Sequence, residues 1–254
     1  MSAPTLVEWT DSVDPGWPPG IYSFRRCRFY GGEDGMTEIK VHGFLYFRVP
    51  QGFRTTKERE RIREAAEAAQ GDPGVVALYP YSLVGLRASA ELGFWVAAED
   101  VEAYQQVGGR LLQTNLEFTA SLWGFVRPSQ YTGQSGISVE VPGERKRYLV
   151  VYPFVKTHDW YQLSADERQA MMKDHARVGH SFKDIEQLLV YSTGIADSEF
   201  VVGYETDDLQ RFSALVVALR STAARPFTRR DTPIFTGRYG SLQEVLQEVF
   251  GKEG

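Results

Sequence analysis

The sequence predicts an α+β fold built from two similar halves, and three observations lead there. Strand-like and helix-like patterns follow one another in the same order twice: strand, helix, strand, strand, helix, strand. Two helices of the second set start on capping boxes, Ser164 with Glu167 and Ser241 with Glu244. A stretch without periodicity, 127–146, separates the sets.

Taken in order, the chain opens on a Pro/Gly-rich arm, Asp14-Pro15-Gly16-Trp17-Pro18-Pro19-Gly20, followed by a candidate strand from Ile21 to Tyr30. Phe44 to Val49 is apolar and aromatic enough for a buried strand, and Thr55 to Gln70 is a charged helix. Val75 to Leu86 and Leu92 to Ala97 read as two strands joined by a turn. Asp100 to Leu112 is a helix and Leu116 to Val126 an aromatic strand. This order is that of a ferredoxin-like unit. The segment 127–146 carries Arg127-Pro128-Ser129-Gln130-Tyr131-Thr132-Gly133 and then Pro142-Gly143, and reads as a linker or a lid. The second half repeats the order. Tyr148 to Tyr152 is a strand that stops at Pro153, and Ser164 to Val178 is a helix with Gly179 at its C-terminal cap. Gln187 to Ser192 and Glu199 to Glu205 are strands, Asp207 to Arg220 a helix, Ile234 to Gly237 a short last strand and Leu242 to Phe250 a closing helix. The two halves are expected to pack as a pair of antiparallel sheets with helices outside.

Composition narrows the function classes. With 43% hydrophobic and 24% charged residues over 254 positions, the chain can bury a sizeable core. A formal charge of -5 gives no electrostatic reason to expect nucleic acid or an anionic membrane as partner. One cysteine, Cys27, rules out an internal disulfide framework and a thiolate metal site, and suits a reducing cytoplasm. No basic, apolar leader and no run of about 18 apolar residues is present, so neither export nor membrane insertion is expected.

The chemistry gathers where the strand ending at Tyr152 meets the helix starting at Ser164. His175 lies one turn from Met171, on the helix's apolar face. An imidazole there suits a core hydrogen bond, and it equally suits an axial ligand to haem iron, which needs one nitrogen and an otherwise apolar wall. His180, five positions on, lacks the i,i+4 spacing of a helical zinc site. Tyr152 shares a strand face with Tyr148 and Val150, and a tyrosine there is usually core with its hydroxyl satisfied. Gln187 opens a face shared with Leu189 and Tyr191, where an amide is out of keeping with its neighbours. Lys156 and Arg127 taken alone are surface charges.

Together these residues carry a resemblance. Tyr148 to Lys156 (YLVVYPFVK), Trp160-Tyr161, Met171-Met172-Lys173-Asp174-His175 with Val178-Gly179-His180, Tyr191-Ser192-Thr193-Gly194, and Arg230-Asp231-Thr232-Pro233-Ile234-Phe235-Thr236 resemble the chlorite dismutase superfamily. Within it they are most similar to the coproheme decarboxylase-like branch. The resemblance covers residues 115 to 240, with Arg127 to Tyr131 its first clear element, and reaches the first 110 residues by element order alone.

The resemblance implies a dimeric α+β barrel, two ferredoxin-like repeats in one chain, with haem in the C-terminal repeat and assembly as a homo-oligomer, often a pentamer. The expected organisation is an arm and repeat over 1–130, a linker over 131–147 and a haem-binding repeat over 148–254. His175 becomes the proximal ligand to haem iron. Tyr152 becomes the redox-active residue that takes hydrogen from a propionate after hydrogen peroxide has acted. Lys156 holds and orients a propionate, Trp160 lines the porphyrin pocket with Arg127, Ser129 and Tyr131 also counted as cofactor-binding, and Tyr161 packs. Gln187 stands where chlorite dismutases place a distal arginine, and the segment Arg220 to Arg225 lacks the glutamate that often hydrogen-bonds the proximal histidine. Both departures speak against chlorite dismutation. A propionate-gripping arginine is also absent near Ser138, leaving Arg127, Arg145, Lys146 or Arg147 to take over. The expected function is peroxide-dependent decarboxylation of iron coproporphyrin III (coproheme) to haem b, with either porphyrin as ligand. The alternatives are a haem peroxidase-like enzyme with another substrate, a haem-binding carrier without turnover, and a member binding a non-haem metal through histidines.

Overall fold

In the computed structural model, which describes residues 40–127 and 138–251, every strand pairing is antiparallel and the strands close on themselves. The first half contributes β1 (Val41–Arg48), β2 (Val75–Ser82), β3 (Leu92–Ala98) and β4 (Glu117–Phe125), in the order β4-β1-β3-β2. The second contributes β5 (Tyr148–Lys156), β6 (Glu186–Tyr191), β7 (Phe200–Thr206), β8 (Thr228–Arg230) and β9 (Phe235–Tyr239). Its order is β9-β5-β7-β6, with β8 paired to the far end of β5. Each half thus has the ferredoxin-like strand order.

The two sheets join edge to edge into one barrel, the α+β barrel of two ferredoxin-like repeats that the resemblance implies. Two short seams join the halves: Phe125 of β4 faces Tyr191 of β6, and Tyr81 and Ser82 of β2 face Tyr239 and Arg238 of β9. Each seam depends on a glycine that lets neighbouring chain come close. A Cβ on Gly124 would lie 2.5 Å from the Tyr191 carbonyl oxygen, and one on Gly237 would lie 2.8 Å from the Tyr81 Cβ. Inside the barrel, Phe44, Tyr46, Trp95, Leu149, Val151, Leu188 and Phe235 form one apolar core.

The helices lie outside. They are α1 (Thr56–Gln70), α2 (Val101–Leu111), a short α3 (His158–Gln162), α4 (Ala165–Gly179), α5 (Leu209–Arg220) and α6 (Leu242–Phe250). Caps are supplied by Thr55, Asp100, Asp208 and the two capping boxes at Ser164 and Ser241. On the first half the fit is close: Ile62, Ala66 and Ala69 of α1, and Ala103, Tyr104, Val107 and Leu111 of α2, are buried against β1 and β3. Val245, Leu246 and Val249 of the C-terminal helix α6 join that same core. On the second half the helices stand off. No residue of α4 is buried, and Leu215 alone is buried on α5.

Some expectations change. The strand β5 runs on through Pro153 to Lys156 rather than stopping at Tyr152. Proline is tolerated because β9 pairs with β5 only as far as Val151 and β8 only from Val155, so no ladder bond is missed at Pro153 on that side. Gly179 ends α4 within the helix, and His180 takes the cap position with right-handed backbone, so the glycine cap is not used. Thr228–Arg230 and His158–Gln162 are elements that the sequence did not announce. The arm and the candidate strand Ile21 to Tyr30 lie outside the described residues.

Candidate functional site

Where α4 and α5 stand off from the sheet, a cavity of about 1080 Å³, its open mouth included, lies over the outer faces of β5, β6 and β7. Its walls are largely apolar and aromatic, formed by Phe154, Leu189, Tyr191, Phe200, Val202 and Val216 among others. Five of the residues singled out from sequence, Tyr152, Lys156, Trp160, His175 and Gln187, line this one cavity.

His175 reaches it from α4 beside Met172, three residues earlier and on the same helical face. Its Nδ1 is buried and has no hydrogen-bond partner among the described residues. Burial first, then the positive charge of Lys156, lower its pKa against an opposing pull from Asp174, so the ring is neutral at neutral pH. The other described histidines do different things. His42 accepts a hydrogen bond from Trp95 inside the barrel at 3.0 Å, while His158 and His180 are exposed.

Lys156 ends β5. Its backbone N–H donates to a Glu199 carboxylate oxygen at 2.6 Å, and its ammonium lies 4.0 Å from the centre of the Trp160 ring. Burial lowers its pKa to about 8, with Glu199 opposing and Arg225 reinforcing the shift. Trp160 is 2% exposed and packs on Phe227, and its neighbour Tyr161 is 44% exposed.

Tyr152 sits half-buried on β5 with its ring stacked on Tyr204 of β7, ring centres 6.2 Å apart. Burial, followed by the neighbouring Tyr204, raises the Tyr152 phenol well above its ordinary pKa, and burial pushes Tyr204 up to about 12. Both are therefore protonated at neutral pH. Gln187, Leu189 and Tyr191 do share one face, and it is the cavity face, which explains an amide among apolar neighbours. The backbone of Gln187 is tied to Ser138, whose hydroxyl accepts from the Gln187 N–H at 2.8 Å and whose own N–H donates to the Gln187 carbonyl at 2.8 Å.

Arg127 does not line the cavity, but its guanidinium lies 3.9 Å over the ring of Tyr191, which does. Ser129 and Tyr131 lie outside the described residues. The other substitutes for a carboxylate-gripping arginine are elsewhere. Arg145 runs into the barrel, 3.3 Å from Glu205 with both side chains 1% exposed. Lys146 faces Glu186 and Asp207, and Arg147 covers Tyr148. The cations that do line the cavity are Lys156, Arg220 and Arg225, the last held by Asp231 at 2.6 Å. Sequence periodicity does not single out Arg220 at the end of α5, Arg225 at the start of a 3-10 turn or Asp231 just after β8. Tyr204 had a signal, since it shares the period-two face of Phe200 and Val202.

The arrangement restricts what can bind. Among the described residues no group of three or more histidine, cysteine, aspartate or glutamate side chains could hold a metal ion. A lone neutral imidazole facing an apolar cavity is the donor set for an iron that arrives with four ligands already supplied by a porphyrin. The orphaned Nδ1 also fits the lack of a carboxylate in Arg220 to Arg225. The residues present therefore fit an iron porphyrin, with cations at hand for its carboxylates.

Comparison with known proteins points the same way. Over 219 residues, 83% of this chain and 94% of the relative, the chain is 32% identical to a protein of Mycolicibacterium smegmatis named coproheme decarboxylase. It superposes on a mutant chlorite dismutase from Candidatus Nitrospira defluvii with a TM-score of 0.75, at 24% identity over 85% of this chain and 98% of that one, a likeness of fold. A double mutant of the same enzyme gives a TM-score of 0.72 at 26% identity, covering 85% and 98%. A sequence model of the chlorite dismutase family matches residues 55–240, and this chain belongs to that family.

Proposed function

We propose that the cavity binds an iron porphyrin and that the protein is a peroxide-dependent coproheme decarboxylase. The observation that carries this reading is the juxtaposition of one neutral imidazole, His175, with an apolar, aromatic cavity that also contains a buried phenol and three cations. The relative named coproheme decarboxylase supports the substrate.

In this reading the bound iron porphyrin supplies the oxidising chemistry with hydrogen peroxide, and its propionates are the groups converted. The chain's residues do the rest. His175 donates one nitrogen to the iron. Without a carboxylate on Nδ1 it is a weaker donor than a carboxylate-paired histidine. Trp160, Phe154, Leu189 and Val202 wall the macrocycle and keep water away. Lys156, Arg220 and Arg225 offset the desolvation of propionate carboxylates and so fix which one faces Tyr152. Tyr152, protonated until oxidised, would pass its phenolic hydrogen, one proton with one electron, to the peroxide-derived oxidant and regain a hydrogen atom from the propionate side chain. The second oxidising equivalent of the same peroxide would take the remaining electron as carbon dioxide leaves and a vinyl group forms, the peroxide ending as two waters. Gln187 presents a neutral amide. It cannot supply the fixed positive charge that would retain a chlorite-derived anion, so chlorite turnover is not part of the reading. The chain divides into an arm and repeat over 1–130, a linker over 131–147 and a haem-binding repeat over 148–254 that carries the site, with β1 to β4 completing the barrel, and the enzyme works in the cytoplasm as a homo-oligomer, a pentamer in our reading.

The test is direct. Purified protein is titrated with coproheme and with haem b by absorption, then given hydrogen peroxide with the product followed by mass spectrometry. Stepwise loss of two carboxyl groups from coproheme is the expected result. Tight binding with no carboxyl loss would make the protein a carrier, and oxidation of an added donor without carboxyl loss would make it a peroxidase with another substrate.

A further inference from the structure

Tyr204 is a second phenol in the cavity, with no part in the reaction as described so far. Tyr152 faces Val202 across the β5–β7 ladder and Tyr204 faces Val150, so the two tyrosines are diagonal neighbours on one face of the sheet. Their rings are within 29° of parallel with centres 6.2 Å apart, and both line the cavity that His175 enters. Tyr204 is 6% exposed. On its other side it meets Phe212, ring centres 5.3 Å apart, a residue with no O–H to give. Aromatic contact thus links Tyr204 to one oxidisable partner, Tyr152, and to a side chain that cannot continue a chain of hydrogen transfers.

We propose that Tyr204 is a hydrogen-atom exchange partner of Tyr152, so that the oxidising equivalent is shared between the two phenols. The inference rests on Tyr152 being oxidised after hydrogen peroxide has acted. In the exchange, the O–H bond of Tyr204 breaks and its hydrogen, one proton with one electron, passes to the phenoxyl oxygen of Tyr152, where an O–H bond re-forms. Tyr204 is oxidised by one electron, Tyr152 is reduced by one, and nothing leaves the pair. The only oxidant is the peroxide already consumed. Two phenols widen the stretch of wall from which hydrogen can be withdrawn, which suits a substrate that loses two carboxyl groups in succession.

The experiment uses electron paramagnetic resonance on coproheme-loaded protein freeze-quenched with hydrogen peroxide. The radical trap aminotyrosine is placed at position 204, with Tyr152 intact or changed by Tyr152→Phe. The expected result is an aminotyrosyl signal that depends on Tyr152 and is lost in Tyr152→Phe. In the otherwise unaltered protein, Tyr204→Phe should remove one component of the tyrosyl signal while coproheme binding and the ferric spectrum stay as they were. A role confined to packing would leave the signal unchanged. The inference is overturned if the Tyr152 radical forms and no aminotyrosyl signal follows, or if that signal persists undiminished without Tyr152. Absence of any tyrosyl signal together with no carboxyl loss in the wild type would overturn the decarboxylase reading as well.

Discussion

Replacing Tyr152 by phenylalanine separates a packing role from a chemical one. The ring that packs against Ile185, Val202, Tyr204 and Leu215 is retained, and only the hydroxyl is lost. Losing the net worth of one hydrogen bond costs roughly 0.5–1.5 kcal/mol. For a chain of this size that lowers the midpoint of thermal unfolding by about 1–6 °C. Against a folding free energy of about 5–15 kcal/mol, such a loss leaves nearly every molecule folded. If Tyr152 only packs, turnover per molecule is therefore unchanged. If Tyr152 is the relay, coproheme binds as before, and peroxide no longer removes the first carboxyl group. The assay pairs thermal unfolding and coproheme titration with product mass after peroxide. Product formed at the wild-type rate by Tyr152→Phe, in protein shown to bind coproheme, would refute the mechanism while leaving the porphyrin site standing.

Five further outcomes are expected. His175→Ala should abolish the high-spin ferric spectrum of the bound porphyrin and weaken coproheme binding, and an unchanged spectrum and affinity would remove the ligand assignment. Because Lys156 is charged below a pKa of about 8 and neutral above it, coproheme affinity should fall as pH rises through about 8. Lys156→Arg should flatten that dependence, and a wild-type titration already flat across this range would show that the ammonium does not hold a carboxylate. In the ligand-free protein the same group acts in the opposite sense, since its folded pKa lies below the unfolded value of 10.5 and stability should rise with pH between about 8 and 10.5. Gly124→Ala, which forces a Cβ to within 2.5 Å of the Tyr191 carbonyl, should cost about 1–3 kcal/mol in chemical denaturation, and no measurable loss would show that the seam yields. Mixed with chlorite, the haem-loaded wild type should evolve little or no oxygen, and sustained evolution would mean that Gln187 does not set the distal chemistry.

The two halves were legible from sequence because each alternates strand and helix signals, and because capping boxes such as Ser164 with Glu167 are local events. The barrel closure was less so. Its seams rest on single close approaches at Gly124 and Gly237, and a glycine in a strand does not say which chain passes beside it. Tyr152, Lys156, Trp160, His175 and Gln187 line one cavity because β5, α3, α4 and β6 follow one another in the chain and pack round it. Arg225 and Asp231 flank β8 on either side, and their position relative to β5 is a tertiary fact, set by β8 pairing beyond Pro153. Arg145 shows the opposite failure: it was one of four cations expected to grip a propionate, whereas the fold turns its side chain inward to Glu205.

Why one half should carry the chemistry follows from the helices rather than the strands, whose order is the same in both. On α1, Ile62, Ala66 and Ala69 form a narrow stripe of small and branched residues that lets the helix lie close on the sheet, and Gly43 beneath Tyr104 does the same for α2. The sheet-facing side of α4 instead carries long or polar side chains, Met172 and His175, which reach across a gap rather than closing it. On the sheet below, the same half places Tyr152, Gln187 and Tyr204 at positions where a packed core would want aliphatic residues. Polar side chains set in an apolar wall are costly to desolvate, and the His175 Nδ1 that faces them has no partner among the described residues, so this face suits a bound ligand better than a packed helix. Changing β5, β6 and β7 to aliphatic residues at those positions would favour collapse of α4 onto the sheet, and the site would be lost by the same physics that closes the first half.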